Sequence, residues 1–154
     1  MGDRAENLRQ ALALLVRDVE ISKQSSVWET EAYGVEDEQP RYFNIVIEGK
    51  TSLTPHGLLT LAKSIERELG REEDSHNKPR PIDVDILIYG EEIHDTPDLT
   101  IPHPRMHERA FVLAPFSEIA FTVTHPKLGK AIADLEDELG FYLHICWPRE
   151  DIKL

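Results

Sequence analysis

Two aspartates alternate with apolar residues in one short stretch of the sequence. Residues 82–89 read IDVDILIY, and the two-residue period of a strand places Asp83 and Asp85 on the face opposite the isoleucines. Their backbones are then about 7 Å apart. Neighbouring carboxylates repel unless a cation or proton lies between them, and Mg²⁺ binds such pairs while keeping water and phosphate ligands. The pattern favours a magnesium site; the alternative is a solvated edge strand whose acids oppose aggregation.

Basic residues precede this pair in a polar, proline-containing stretch. Arg71, Lys78 and Arg80 lie within a dozen positions of the aspartates. Metal-binding acids beside arginines are typical of a nucleoside triphosphate site, where the metal bridges phosphate oxygens and the arginines neutralise the remaining charge. The sequence contains neither GxxxxGK[ST] nor GxGxxG, which excludes a P-loop enzyme and a Rossmann domain.

An aromatic residue and a carboxamide share one face of another predicted strand. Tyr42 and Asn44 alternate with Phe43 and Ile45. A tyrosine can stack on a flat heterocycle, and an asparagine offers both donors and acceptors to its edge. The alternative is a packed tyrosine beside a turn-forming asparagine.

Residues 102–111 are rich in residue types that bind ligands. His103 and His107 have the i,i+4 spacing of two zinc ligands on a helix, but Pro104 and the lack of an obvious third ligand argue against zinc. Arg105 and Arg109 share that spacing and can bind phosphate instead.

The elements that must position these residues follow from periodicity and capping signals. Thr54 before Pro55 starts a helix that Gly70 ends. Long loops are expected at 31–41 and 71–81, and the strongest strand follows directly after the second of them. The full series is a helix near 4–17, strands at 19–30 and 42–50, a helix at 55–69, a strand at 82–89, a partial helix at 106–116, a helix at 129–139 and a strand at 141–146. This α+β order lacks only an initial strand to be a ferredoxin-like βαββαβ unit.

Composition limits the class of protein. The 154 residues fit one domain, 1–154, and carry 17 Lys plus Arg against 29 Asp plus Glu, a net charge of -12. Such a surface repels nucleic acid and anionic membranes. The single cysteine excludes an internal disulfide, and no signal-like or membrane-spanning apolar run is present, so a cytoplasmic protein is expected.

The run PRPIDVDIL at 79–87 resembles the signature of the 6-hydroxymethyl-7,8-dihydropterin pyrophosphokinase family of folate synthesis. The resemblance covers roughly residues 2–120. It includes GDR at 2–4 with NL at 7–8, SVWET at 26–30, YFN at 42–44, Glu66 with LGR at 69–71, and IPHPRM at 101–106 with Arg109 and Phe111.

The resemblance implies a ferredoxin-like fold and transfer of pyrophosphate from ATP to the hydroxymethyl group of the pterin, with release of AMP. Asp83 and Asp85 would hold two Mg²⁺ ions and, with Arg71 and Arg80, form the catalytic set. The pterin would lie between Tyr42 and Phe111, with Thr30 and Asn44 at its polar edge. The nucleotide would contact Glu66, Arg71, Arg80, Ile86, Thr100, His103 and Arg109, and residues 31–41 and 71–81 would close over the substrates. A monomer or weak dimer is expected.

The sequence departs from the family pattern at three places. Asn77 or Lys78 stands where many members have a tryptophan, and Asp98 stands where an arginine is common. Family members also begin with an apolar central strand ending in Leu-Gly-Ser-Asn, which we expect to be missing before Gly2. This departure keeps a second hypothesis open, a non-catalytic pterin- or nucleotide-binding relic of the family. A third is a different Mg²⁺-dependent phosphotransferase on the same fold.

Overall fold

The computed structural model of the chain describes residues 4–31, 42–70, 82–143 and 145–154. These residues form both helices and antiparallel strands, which confirms the predicted α+β class. The predicted loop 71–81 and all of loop 31–41 except Glu31 lie outside the described residues. The elements are α1 (Arg4–Leu15), β1 (Val19–Gln24), β2 (Val27–Thr30), β3 (Tyr42–Asn44), β4 (Ile47–Thr51), α2 (Pro55–Leu69), β5 (His94–Asp95), β6 (Thr100–Ile101), a 3-10 helix (Met106–Glu108), α3 (Ala110–Ala120), α4 (Ile132–Leu139) and β7 (Cys146–Arg149).

The two long strands predicted at 19–30 and 42–50 are each divided in two. β1 pairs with β4 and β2 pairs with β3, both antiparallel. At the break, Ser25 N donates to Val46 O at 2.9 Å and Val46 N donates to Ser25 Oγ at 2.9 Å. One hydroxyl therefore replaces a ladder bond where both strands are interrupted.

The sheet that carries the predicted pterin residues has the order β3-β2-β7. The strand predicted at 141–146 is wrong in position, because the strand begins at Cys146 and runs to Arg149. Pro148 is tolerated there because β7 is an outer strand, where the missing N–H leaves no inner ladder bond unmade.

Residues 82–89 do not form the predicted strand. Within the described ranges they join no β-ladder. Their apolar side chains are nonetheless partly buried, and Leu87 and Ile88 pack against a core cluster built mainly by α3 and α4. A strand needs a partner as well as a pattern, and only the pattern can be seen in the local sequence.

The predicted helices are confirmed. Thr54 caps α2 by accepting from Gly57 N at 3.1 Å, and the helix ends where Gly70 N donates to Glu66 O at 2.9 Å. The predicted partial helix at 106–116 corresponds to the 3-10 helix and the first part of α3. No helix in the described part of the chain is both long and apolar enough to cross a membrane.

Candidate functional site

Strand register gathers three of the residues predicted to bind the pterin. Trp28 is opposite Asn44, and Thr30 is opposite Tyr42. Residues directly opposite each other in an antiparallel pair project to the same face of a sheet. The other predicted residue, Phe111 on α3, packs against the cluster that Trp28 forms with Ala110, Ala114 and Cys146. All four predicted residues are thus on or next to one sheet face.

The polar groups of this face differ in how they are satisfied. Thr30 is buried and its hydroxyl donates to Ile145 O at 3.0 Å. The Asn44 side-chain nitrogen is buried without a hydrogen-bond partner among the residues that the structure describes. Tyr42 is 43% exposed. An inward amide donor beside an open aromatic ring suits a planar ligand with an acceptor on its edge.

The opposite face of the same sheet is held by a charged cluster. Glu29 is buried and accepts from Arg149 Nη1 at 2.7 Å, with Arg4 Nη1 at 3.9 Å. The Arg4 guanidinium also lies 4.0 Å from the centroid of the Phe43 ring. Because Glu29 and Phe43 are opposite each other in the ladder, this cluster fixes β2 against β3 from behind the predicted ligand face. The alternation in SVWET places Glu29 on this face, but its basic partners are remote in sequence.

The aspartate pair lies in a segment that side chains and loops attach to the fold. Asp83 and Asp85 are exposed, and Val84 N between them donates to Glu66 Oε2 at 2.7 Å. Further along, Leu87 O accepts from His103 N at 2.8 Å. This bond brings the 101–106 loop directly to the segment that carries the acids.

His103 lies among charges of both signs. Burial lowers its pKa, the nearby Asp85 carboxylate opposes that shift, and Arg109 and Arg105 add to it. Its Nδ1 accepts from Arg105 N at 3.3 Å. The neutral ring therefore carries its proton on Nε2, where it can donate to a ligand. Among the residues that the structure describes, no group of three or more His, Cys, Asp or Glu side chains is placed to hold a metal ion.

Arg109 joins the two halves of the predicted site. Its guanidinium lies 5.5 Å from the centroid of the Phe111 ring, and it is one of the charges that act on His103. The carboxylate of Asp85 also affects His103, because its negative charge raises the pKa that Arg109 lowers. Phe111 of the predicted pterin set therefore lies near Arg109, which in turn lies near His103 of the predicted nucleotide set.

The remaining predicted residues are less tightly gathered. Thr100 is half-buried on β6 opposite Asp95, and Ile86 is half-buried between Asp85 and Leu87. Glu66 is buried on α2. Arg71 and Arg80 lie outside the described residues. Sequence reasoning missed the bond from Val84 to Glu66, because a backbone partner leaves no signature in residue type.

Two exposed aspartates fit Mg²⁺ by donor chemistry. Hard oxygen ligands match this ion, and Mg²⁺ uses only one or two carboxylates when substrate phosphates and water complete its octahedron. The exposure of Asp83 and Asp85 leaves room for those further ligands.

Known proteins are similar in sequence to this chain over most of its length. The family model described as 7,8-dihydro-6-hydroxymethylpterin-pyrophosphokinase matches residues 1–121. A Bacillus subtilis protein named 2-amino-4-hydroxy-6-hydroxymethyldihydropteridine pyrophosphokinase is 49% identical over 121 residues, which are 77% of this chain and 72% of that protein. An Aquifex aeolicus protein of the same name is 39% identical over 138 residues, or 90% of this chain and 86% of the relative.

A longer relative also contains this unit. The mitochondrial folate synthesis bifunctional protein of Arabidopsis thaliana is 42% identical over 120 residues, which are 77% of this chain but 22% of that protein. The family that the PRPIDVDIL run predicted is confirmed, and the chain belongs to the 7,8-dihydro-6-hydroxymethylpterin pyrophosphokinase family.

Proposed function

We propose that this chain transfers the pyrophosphate group of ATP to the hydroxymethyl group of 6-hydroxymethyl-7,8-dihydropterin and releases AMP, as a step of folate synthesis. Family membership supports the reaction class, and one structural observation carries the assignment to this site. Arg109 is next to Phe111 on the pterin side and, with Asp85, acts on His103 on the nucleotide side. Two substrates bound at these places would meet.

The pterin half of the site binds and orients a planar substrate. The rings of Tyr42 and Phe111 stack on its faces, and the buried Asn44 amide donates to an acceptor on its edge. Thr30 lies beside Tyr42 and is itself satisfied by Ile145 O, so its role is to shape the pocket edge.

The nucleotide half binds phosphates and neutralises their charge. The Nε2–H of His103 and the guanidiniums of Arg109, Arg71 and Arg80 supply donors, while Thr100 and Ile86 border the nucleotide. Asp83 and Asp85 would hold two Mg²⁺ ions, which neutralise charge on the phosphate oxygens when bound.

The reaction needs no nucleophile from the protein. The substrate hydroxyl oxygen bonds to the β-phosphorus of ATP, the bond from that phosphorus to the α,β-bridging oxygen breaks, and AMP leaves with that oxygen while the hydroxyl proton is released. The protein contributes in-line positioning of the two substrates and positive charge around the transferred group. Residues 31–41 and 71–81 are proposed to close over both substrates and exclude water.

We also propose the ferredoxin-like order for the fold, in which an apolar strand like the family's first strand would lie between β3 and residues 82–89. In the described part of the chain β3 pairs with β2 alone, and residues 82–89 have no ladder partner. An N-terminal extension of about ten residues ending in Leu-Gly-Ser-Asn should raise the melting temperature and the pterin affinity. Equal melting and binding of both forms would contradict this strand order. The cytoplasmic location and the monomeric or weakly dimeric state remain predictions.

The direct test supplies ATP, Mg²⁺ and 6-hydroxymethyl-7,8-dihydropterin and measures AMP and the diphosphorylated pterin by chromatography. Asp85→Asn and Asp83→Asn should each lower turnover by about 1,000-fold, since a metal ligand contributes several kcal/mol to charge stabilisation. The matched control is Asp134→Asn, an exposed aspartate on α4 that should leave turnover unchanged. Near-normal AMP release by either site variant would contradict the metal role.

The same assay separates the two other hypotheses. Binding of pterin and an ATP analogue without AMP release would indicate the relic. AMP release with a different hydroxyl acceptor, but not with the pterin, would indicate another phosphotransferase. The relatives described above are named as pyrophosphokinases or as a folate synthesis protein, and nothing observed favours the relic.

A further inference from the structure

Glu66 accepts a hydrogen bond from the backbone between the two exposed aspartates. We propose that Glu66 is a positioning residue, which sets the direction of the Asp83 and Asp85 side chains and so tunes metal affinity. This inference rests on the proposed function, in which those aspartates hold Mg²⁺. It assigns to Glu66 a role that acts through its neighbours, beyond the nucleotide contact expected from the family resemblance.

The Glu66 carboxylate is buried and hydrogen-bonded. The residue is 6% exposed near the end of α2, and its Oε2 accepts from Val84 N at 2.7 Å. Its Oε1 lies 3.3 Å from Lys63 Nζ, one turn back on the helix. A buried carboxylate that accepts from a backbone N–H makes a strong, directional bond.

Hydrogen bonds connect both ends of residues 84–89 to α2 or to the residues just before it. At the far end, the Tyr89 hydroxyl donates to Leu53 O, just before α2 begins. From Leu53 to Glu66 a helical rise spans about 20 Å, and from Val84 to Tyr89 an extended chain spans about 17 Å. The two lengths match when the segment runs antiparallel along the helix. The helix therefore does for this segment part of what a neighbouring strand does in a sheet.

The hydrogen bond from Val84 N to Glu66 also bears on the proposed metal site. The Cα atoms of Asp83 and Asp85 are each one peptide, about 3.8 Å, from that of Val84. Rotation of the backbone at Val84 would turn both aspartates away from a common ligand, because alternate side chains change faces together. Mg²⁺ demands a near-ideal octahedron, so its affinity is sensitive to such a rotation. The Val84–Glu66 bond opposes the rotation at the point where it matters most.

The experiment compares three variants with the wild type. Glu66→Met keeps the length of the side chain but accepts no bond, whereas Glu66→Gln retains an acceptor oxygen without charge. Lys63→Ala is the matched control, because it removes a hydrogen bond to Oε1 and leaves the Val84 bond in place. Each protein is measured for hydrogen exchange of the Val84 amide, for affinity of Mn²⁺ in the presence of a non-hydrolysable ATP analogue, and for affinity of that analogue without metal.

Glu66→Met should speed exchange of the Val84 amide by about 10- to 100-fold, the effect of losing a hydrogen bond to a charged group. It should weaken Mn²⁺ binding about tenfold, as other residues behind metal ligands do. Its affinity for the analogue without metal should stay within about threefold of the wild-type value, which is a small difference in binding free energy. Glu66→Gln and Lys63→Ala should resemble the wild type in both Val84 exchange and Mn²⁺ affinity. If Glu66→Met does not fold, Val84→Pro removes the same N–H and should weaken Mn²⁺ binding in the same way.

Three results would overturn the proposal. One is unchanged Mn²⁺ affinity in Glu66→Met. Another is an equal loss of analogue affinity without metal, which would mean that Glu66 acts on the nucleotide. The third is weak Mn²⁺ binding in Glu66→Gln while its Val84 amide stays protected, which would assign the effect to charge. Failure of the proposed function is a separate outcome, seen as absence of AMP release by the wild type, and the exchange and Mn²⁺ measurements do not depend on it.

Discussion

The unpartnered amide of Asn44 leads to a prediction in which stability and affinity change in opposite directions. Its Nδ2 is buried with no hydrogen-bond partner among the described residues, on the face that Tyr42 and Thr30 share. Leaving a buried donor unsatisfied costs about 1–3 kcal/mol. Asn44→Leu removes that donor and keeps the number and branching of the side-chain heavy atoms. Because Asn44 is only half-buried, we expect the free protein to gain about 1 kcal/mol of unfolding free energy, the low end of that range.

Pterin binding should show the reverse effect. The ligand acceptor that meets Nδ2 in the wild type would be desolvated against an apolar side chain in the variant. A loss of about 2 kcal/mol follows, or about 30-fold in dissociation constant. At a pterin concentration of 100 times the wild-type dissociation constant, binding adds about 2.7 kcal/mol to the wild type and only about 0.9 kcal/mol to the variant. The variant should therefore be the more stable protein without pterin and the less stable one with it.

Asn7 offers a matched control, because its Nδ2 is also buried without a partner in the described part of the chain. Asn7 lies on α1, and Arg4 of that helix covers Phe43 on the opposite face of the sheet. Asn7→Leu should raise stability without changing pterin affinity. The assay is urea unfolding with and without pterin, together with calorimetry of pterin binding in the presence of an ATP analogue. Equal pterin affinities for the two variants, or a destabilised Asn44→Leu that binds normally, would refute the reasoning.

Two further predictions concern His125 and Cys146, buried titratable groups to which the proposed reaction assigns no role. Burial, assisted by the nearby His107, lowers the pKa of His125, so stability should be lost as pH falls below the unfolded value of about 6.5. His125→Asn keeps an acceptor for the N–H groups of Lys127 and Leu128 and should lose less unfolding free energy between pH 7 and 5; parallel pH profiles would contradict this. Burial raises the pKa of Cys146 to about 11, so iodoacetamide at pH 8.5 should label the folded protein at least about 100-fold more slowly than the unfolded chain, and comparable rates would show that the thiol is accessible.

The parts of the fold that could be predicted are those that local chemistry specifies. The ends of α2 depend on local residues: the helix begins after the Thr54 cap at Pro55 and ends at Gly70. Their side chains and backbone preferences can be read directly from the sequence. The interruption at Ser25 could not be predicted, because it involves a bond with Val46, which is remote in sequence. The position of the last strand at Cys146–Arg149 could not be predicted either, because it depends on pairing with β2, which is remote in sequence.

The candidate site shows the same division at the level of single residues. Alternation alone placed Tyr42 with Asn44, and the ladder then brought Thr30 beside them. The aspartates were found from alternation too, yet the strand inferred from it is absent from the described residues. Residue types indicate which groups do chemistry. They do not indicate whether a ladder or a side chain holds those groups in place.

That difference has a consequence for how the two substrates would be held. The predicted pterin face is part of a three-stranded ladder and is fixed from behind by Glu29 and Arg149, so its geometry is set before any ligand arrives. The aspartate segment is attached instead through individual bonds, among them those to Glu66 and His103. Loss of one such bond would allow the backbone of the segment to rotate, whereas the ladder would hold the predicted pterin face after the loss of any single contact. The geometry of the proposed metal ligands would therefore depend on single residues such as Glu66, and the geometry of the predicted pterin face would depend on the sheet as a whole.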